Sequence, residues 1–195
     1  MGIKIFTPGH GTYTDTLILY GIALPICEHF RKRVENQPNF IRVKSLGYTY
    51  ELEVQVDDYI DISKAITVYA HRYRSELKDR LVNRPFGFFY EKDVDNVILQ
   101  ALLNVSGIEE YLQDLTQPGH IKRRNEGRRG RGSTMKLPLM PMAGKYLHRD
   151  LTMASNYPQA QYKACNYCCA LAALGLSQAS LPVLGGVRGD WHRII

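Results

Sequence analysis

Long apolar segments are missing from this chain of 195 residues. No run approaches the roughly 18 apolar residues that a membrane-spanning helix needs, so we expect no transmembrane segment. The first residues, MGIKIFTPGHG, also lack the apolar core of a secretory signal. The sequence therefore predicts a soluble protein that is not secreted.

Cysteine is scarce and unevenly placed. Of the four cysteines, Cys165, Cys168 and Cys169 crowd into the pentapeptide CNYCC, and Cys27 stands alone. A disulfide framework needs well-spaced pairs and an oxidising compartment, and neither is indicated here. We therefore expect reduced thiols and a cytoplasmic protein.

Catalytic signatures are missing too. No Ser-His-Asp set, paired-carboxylate element or phosphate-binding loop ending in Gly-Lys-Ser/Thr stands out. The segment TPGHGTYTD does place His10, Thr12, Thr14 and Asp15 in a strand-to-helix turn, where free backbone amides could hold an anion. Since nothing else in the turn points to a reaction, we interpret it as structural and predict that the protein is not an enzyme.

Positive charge, in contrast, is in excess and lies in one place. The chain has 25 lysines and arginines against 19 acidic residues. Between His120 and Lys136 seven basic residues are opposed only by Glu126, so this segment carries a net charge of +6. The rest of the chain balances, with 18 residues of each sign. Such a concentrated block favours binding to a polyanion.

Glycines alternate with arginines in the centre of this block, KRRNEGRRGRG (122–132). Glycine opposes helix formation and lets backbone amides and guanidinium groups approach a phosphate chain together. The predicted phosphate contacts are Lys122, Arg123, Arg124, Arg128, Arg129 and Arg131. The alternative is a solvated linker, and arginines by themselves do not distinguish DNA from RNA.

Hydrophobic periodicity predicts an α+β protein: a small antiparallel hairpin region packed with several helices and interrupted by the basic Gly/Arg-rich loop. Three parts are expected. They are a mixed α/β N-terminal domain (1–116), the basic flexible loop (117–137), and a Pro-punctuated segment with a Cys/Ala-rich helix (138–195) that packs on the same core.

Two strand regions are predicted in the first part, at 3–9 and at 40–56, where apolar and polar residues alternate on both sides of Gly47. Between them lies a helix that Pro25 is expected to bend. Its apolar surface is broad, which indicates a nearly enclosed helix, and one stripe comprises Leu17, Tyr20, Leu24, Cys27 and Phe30.

Helical spacing is clearest at 61–82, where the predicted buried face comprises Ile62, Ile66, Tyr69, Tyr73, Leu77 and Leu81. An adjoining stripe holds Lys64, His71, Arg74 and Lys78. We predict Lys64, Arg74 and Lys78 as a second, weaker phosphate-binding patch, although a solvated helix face is the more ordinary interpretation.

Two further helices are predicted before the basic loop. Asp93 is expected to cap the first, and Gly107 to end it before a short helix that runs to Leu115. After the loop, the small-residue content of 159–180 predicts a close-packed helix.

The spacing of Cys165 and Cys168 matches half of a zinc site. Two more ligands would be needed, and His148, His192 and Cys27 are the candidates. Paired cysteines at the start of an alanine-rich helix are more often small thiols buried in a core. Zinc is thus a possible cofactor on this pattern, and no other cofactor is indicated.

Two stretches together, IKIFTPGHGTYTDTLILYGIAL at the start and ACNYCCALAALGLSQASLP near the end, resemble the large subunit of the archaeal subtype I-A CRISPR surveillance complex, the archaeal Cascade. The resemblance covers about a third of the chain and contains no catalytic signature. Members of that family are generally longer, so the resemblance also implies a truncated, split or divergent copy.

This resemblance implies a non-catalytic, RNA-guided antiviral role. Such a subunit helps to inspect the duplex beside the target, contacts the displaced DNA strand and docks the separate helicase-nuclease. The implied partners are DNA, other CRISPR interference proteins and, through them, guide RNA. Three alternatives stay open: a general RNA-binding accessory protein, a phosphate-processing enzyme that uses His10 and Asp15 with His148 as a further candidate, and a purely architectural protein.

Overall fold

The computed structural model describes residues 2–10, 12–47, 49–82, 91–117, 165–179, 181–182 and 193–194. The basic segment 120–136 and both candidate zinc-ligating histidines, His148 and His192, lie outside these residues. The predictions that concern them therefore stay predictions.

A three-stranded antiparallel sheet lies at the start of the fold. Its strands are β1 (Ile3–Phe6), β2 (Ile41–Ser45) and β3 (Tyr50–Val54), and β3 is the central strand. The predicted hairpin around Gly47 is confirmed as β2 and β3. Gly47 has φ +92°, a backbone conformation that favours glycine and allows the chain to reverse.

The two faces of the sheet differ in character, because side chains alternate along each strand. On the apolar face Ile5, Leu52 and Val54 are at most 1% exposed. The cross-strand register places five charged residues together on the opposite face: Lys4, Arg42, Lys44, Glu51 and Glu53. The first strand is thus part of the same sheet as the hairpin.

Helix α1 (Thr12–His29) follows β1 and continues through Pro25, and α2 (Arg31–Asn36) follows it directly. No charged residue lies between Asp15 and Glu28. The buried side of α1 consists of Leu17, Ile18, Ile22 and Ile26. Tyr20, predicted on the apolar stripe, is 44% exposed, so only part of that stripe faces the core.

The predicted helix at 61–82 forms as α3 (Tyr59–Arg72) and α4 (Arg74–Val82), divided at Tyr73. Asp58 caps α3 by accepting a hydrogen bond from the Ile60 amide at 3.3 Å. The predicted buried face is confirmed at five positions, and Tyr73 is half-buried: Ile62, Ile66, Tyr69, Leu77 and Leu81 are buried.

A further helical stretch comprises α5 (Glu91–Asp93), a π-helical segment (Val94–Leu99) and α6 (Gln100–Leu102). The prediction that Asp93 caps this stretch is wrong. Asp93 has helical dihedral angles (φ −78°, ψ −34°), and its side chain makes no capping hydrogen bond.

Helix α7 (Val105–Gln113) begins after Asn104, whose side chain accepts a hydrogen bond from the Gly107 amide at 3.1 Å. The prediction that Gly107 ends a helix is therefore wrong, because this glycine lies in the first turn of α7. A Cβ at Gly107 would collide with the Tyr167 hydroxyl, so close packing accounts for the glycine.

Helix α8 (Asn166–Ala179) packs antiparallel against α1. Glycines make the close approach possible: a Cβ at Gly21 would collide with the carbonyl oxygen of Leu171, and one at Gly175 with that of Leu17. Side chains of α8 join those of α1, α3, α7 and the sheet in one cluster of buried apolar residues. Strands β4 (Leu181–Pro182) and β5 (Arg193–Ile194) form a separate antiparallel pair.

The predicted α+β class is confirmed. The described residues combine a small antiparallel sheet with many helices, and the core lies between the apolar face of the sheet and those helices.

Candidate nucleic-acid interface

The charge of the described residues has the opposite sign to that of the whole chain. They contain 13 lysines and arginines against 16 aspartates and glutamates, whereas the whole chain has a formal net charge of +6. The positive surplus therefore belongs to residues outside the described ranges, among them the basic segment 120–136. The described residues therefore carry a small net negative charge.

The predicted patch on α3 and α4 divides into two kinds of residue. Lys64 and Arg74 are exposed, and neither forms an ion pair among the described residues. Lys78 differs, because its Nζ lies 2.8 Å from Asp95 Oδ2 and 2.7 Å from Glu91 Oε1. Hydrogen bonds to Asp95 and then to Glu91 raise the pKa of Lys78 above its ordinary value. Lys78 thus links α4 to the helix that begins at Glu91.

Two neighbouring arginines on these helices are also structural. Arg72 Nη1 lies 2.6 Å from Glu28 Oε1, which ties the end of α3 to α1. Arg80 donates a hydrogen bond to the backbone carbonyl of Ser177 in α8, at 2.8 Å. The predicted patch is therefore reduced to Lys64 and Arg74 as exposed cations without a carboxylate partner in the described part of the chain.

A group of cations that the sequence analysis did not single out lies on α2 and β2. Lys32 and Arg33 are exposed on α2, which has no buried residue, and Arg42 and Lys44 are exposed on β2. We call these four residues the α2–β2 surface. The signal was in the sequence, because residues 29–47 hold five lysines and arginines against Glu35 alone.

The turn between β1 and α1 contains the polar residues considered for catalysis. Asp15 is fully buried, and its Oδ1 accepts a hydrogen bond from the Gly9 amide at 2.9 Å. Gly9 has φ +86°, so the chain reverses here and the carboxylate holds the turn closed. Thr14 is buried beside it, and His10 is half-buried. These contacts indicate that Asp15 has a structural role, which is to close the turn between β1 and α1.

The three clustered cysteines begin helix α8. Cys165 and Cys168 have their sulfur atoms 3.4 Å apart, and the Cys165 sulfur accepts a hydrogen bond from the Cys168 amide. Burial raises the pKa of the Cys168 thiol well above its ordinary value, with a contribution from the hydrogen bond to Cys165. Burial also raises the pKa of Cys169. Thiols held in the neutral form in this way are weak nucleophiles.

The two sulfur atoms, 3.4 Å apart, lie slightly closer together than two ligands of one zinc ion, which are about 3.8 Å apart in a tetrahedral site with Zn–S bonds of about 2.3 Å. Cys168 also lies 3.2 Å from the Tyr111 hydroxyl. Within the described residues, no group of three or more His, Cys, Asp or Glu side chains is placed to hold a metal ion. A zinc site would need a ligand such as His148 or His192, so zinc binding stays a prediction.

None of the helices in the described ranges combines the length and the apolar character that crossing a membrane requires.

A search of curated proteins and a search of solved structures each found no match. Residues 4–181 match the model of the family described as CRISPR-associated protein (Cas_Csa4). This match includes both the sheet and helix α8, and the chain therefore belongs to this CRISPR-associated family.

Proposed function

We propose that the chain is a non-catalytic, nucleic-acid-binding subunit of a CRISPR interference complex and that it contacts target DNA. The observation that carries the proposal is the concentration of a net charge of +6 into residues 120–136 of a CRISPR-associated protein whose remaining residues balance. In this proposal the chain helps to inspect the duplex beside the target and binds the displaced strand.

The charge of the described residues supports this proposal. Because the described residues carry more carboxylates than cations, most of their surface repels a phosphate chain. In this proposal most of the binding energy comes from the basic segment, whose contacts are Lys122, Arg123, Arg124, Arg128, Arg129 and Arg131. Each phosphate contact releases counterions and adds about −0.9 to the slope of log K against log salt concentration.

The partners follow from the family and from the charge. Membership of a CRISPR-associated family supports a role in CRISPR defence and contact with other CRISPR proteins. Guide RNA would reach this chain through those proteins. Lys64 and Arg74 on the exposed side of α3 and α4 would provide secondary phosphate contacts.

The test replaces the six basic residues of the segment with glutamine and measures affinity for duplex DNA, single-stranded DNA and RNA at two salt concentrations. We expect duplex affinity to fall at least tenfold at low salt, and the salt dependence to become shallower by about 0.9 for each phosphate that is no longer neutralised. Unchanged affinity at both salt concentrations would refute the proposal. A wild-type chain that binds RNA and not duplex DNA would favour the RNA-binding accessory protein instead.

The enzymatic alternative needs His10 and Asp15 to be available for chemistry. The use of Asp15 in closing the turn favours a structural role for Asp15. The test is to assay phosphodiester hydrolysis by the wild type and by a variant in which His10 is replaced with alanine. We expect no activity in the wild type or in the variant.

A further inference from the structure

We propose that the α2–β2 surface is a second binding site for a sugar-phosphate backbone, separate from the basic segment. This inference rests on the proposed function, because it assumes that the chain works on a nucleic acid. It adds a site in the described part of the chain, built from Lys32, Arg33, Arg42 and Lys44.

The α2–β2 surface lies in a stretch of the chain that is net positive, whereas the other described residues are net negative. Residues 29–47 hold five lysines and arginines against Glu35. The other described residues hold eight against fifteen aspartates and glutamates. A polyanion approaching the described residues would therefore be attracted to this region and repelled by most of the others.

The helix and the strand of this surface are held together by aromatic packing. The ring centroids of Phe30, before α2, and Phe40, before β2, lie 5.5 Å apart. Phe40 is 1% exposed, so it anchors this contact in the core. The guanidinium carbon of Arg33 lies 5.6 Å from the centroid of the Phe30 ring, which restricts Arg33 to the α2 side of the same corner. The cations are thus presented by a fixed corner of the fold.

The strand contributes two cations in a row. Arg42 and Lys44 are both on the charged face of β2, and residues two apart on a strand are separated by about 6.6 Å. β2 is an edge strand of the three-stranded sheet, so its outer side is open to a ligand in the described part of the chain.

The nearby carboxylates limit where the ligand can run. Glu51 is tied to Lys4 at 2.9 Å, and Glu53 accepts a hydrogen bond from Gln55 at 3.4 Å. Both glutamates line an open groove on the charged face of the sheet, and Arg42 and Lys44 line it too. A phosphate chain would therefore reach Arg42 and Lys44 from the outer rim of β2, on the side towards α2 and away from the two glutamates.

Several features distinguish these cations from an ordinary solvated surface. Lys32, Arg42 and Lys44 form no ion pair among the described residues, whereas Arg31 is paired with Glu35 at 2.9 Å. A repeating polyanion can engage cations on both a helix and a strand, whereas a single carboxylate of a protein partner engages one. The geometry thus favours a nucleic-acid backbone, and either target DNA or guide RNA supplies that chemistry.

The test uses the full chain with two double variants, Lys32→Gln with Arg33→Gln and Arg42→Gln with Lys44→Gln. The matched control is Asn96→Asp with Gln100→Glu, since both residues are exposed, lie outside residues 29–47 and outside the basic loop, and give the same change in net charge. Affinity for duplex DNA and for RNA of the same length is measured between about 50 and 200 mM salt. Circular dichroism verifies that each variant is folded.

We expect each double variant to weaken binding at low salt at least threefold relative to the control, and to reduce the salt slope by about 1 to 2. A loss confined to duplex DNA identifies target DNA as the ligand, and a loss confined to RNA identifies guide RNA. Affinities and slopes equal to those of the control would overturn the inference.

The glutamine variant of the basic segment is measured in parallel. If that variant alone loses affinity, the α2–β2 surface is not a binding site and the proposed function stands. If only the double variants lose affinity, the second site stands and the assignment of the basic segment fails.

Discussion

Gly21 of α1 lies directly against the backbone carbonyl of Leu171 in α8, and no side chain separates the two helices at this point. The reciprocal contact is made by Gly175 against Leu17. Together they define the antiparallel crossing that joins the two ends of the core.

Replacing Gly21 with alanine should destabilise the fold. Helix propensity alone favours alanine by about 1 kcal/mol, but the added Cβ would collide with backbone that cannot move locally. Overpacking of this kind typically costs about 1–3 kcal/mol, so we expect a net loss of stability. Thermal unfolding monitored by circular dichroism measures it. A melting temperature equal to or above that of the wild type would show that α1 and α8 are not this close.

Replacing Asn104 with alanine should weaken α7. The Asn104 side chain accepts a hydrogen bond from the Gly107 amide and donates one to the Tyr167 hydroxyl at 3.2 Å. Loss of an N-cap typically costs about 1 kcal/mol. Asn104→Asp is the matched control, because its carboxylate still accepts from the Gly107 amide and is an equally good N-cap. In urea unfolding the aspartate variant should be more stable than the alanine variant, and equal stability of the two variants would contradict the capping role.

The protein should lose stability at alkaline pH. Burial raises the pKa of Tyr69 from 10.0 to about 12, and burial raises the pKa values of Tyr111 and Cys168 well above the ordinary range. The unfolded chain therefore releases these protons at lower pH than the folded chain does. The free energy of unfolding should begin to fall once pH exceeds about 8.5, the ordinary thiol pKa, and should fall further above 10.

Tyr69→Phe isolates one part of this effect. Because phenylalanine has no proton to lose, the variant should show a shallower decline in stability between pH 10 and about 12. Urea unfolding across this interval provides the measurement. Identical pH dependence in the variant and the wild type would mean that Tyr69 ionises equally well in both states.

Replacement by glutamine should affect stability and nucleic-acid affinity differently at Lys78 than at the pair Lys64 and Arg74. Lys78 is held between Asp95 and Glu91, so its loss should lower stability slightly and leave nucleic-acid affinity within twofold of the wild type. Lys64→Gln with Arg74→Gln should leave stability unchanged and weaken DNA binding modestly at low salt. Gel shifts and thermal unfolding on the same samples separate the two effects. A larger affinity loss for Lys78→Gln than for the pair would reverse this assignment.

Much of the fold was predictable where local patterns agreed with tertiary packing. The alternation around Gly47 and the spacing from Ile62 to Leu81 predicted the hairpin and the buried face correctly. Prediction failed where a distant segment decided the outcome. Gly107 looked like a helix breaker, and only the position of Tyr167, sixty residues later in the chain, explains a glycine inside α7.

The candidate site was predictable only in part. Net charge locates the basic segment but carries no information about pairing, so Lys78 was grouped with Lys64 and Arg74 although two carboxylates from another helix surround it. The α2–β2 surface was overlooked for the converse reason. Its cations are divided between a helix and the strand that follows it, and the packing of Phe30 on Phe40 shows that the two elements form one corner.

The contact of α1 with α8 has a consequence for how the chain is made. Gly21 and Leu171 are about 150 residues apart, so at typical translation rates the ribosome needs on the order of ten seconds or more to produce the second helix after the first. During that interval the uncharged stretch between Asp15 and Glu28 has no α8 to cover it. The nascent protein should therefore depend on a chaperone, or on prompt assembly, to avoid aggregation.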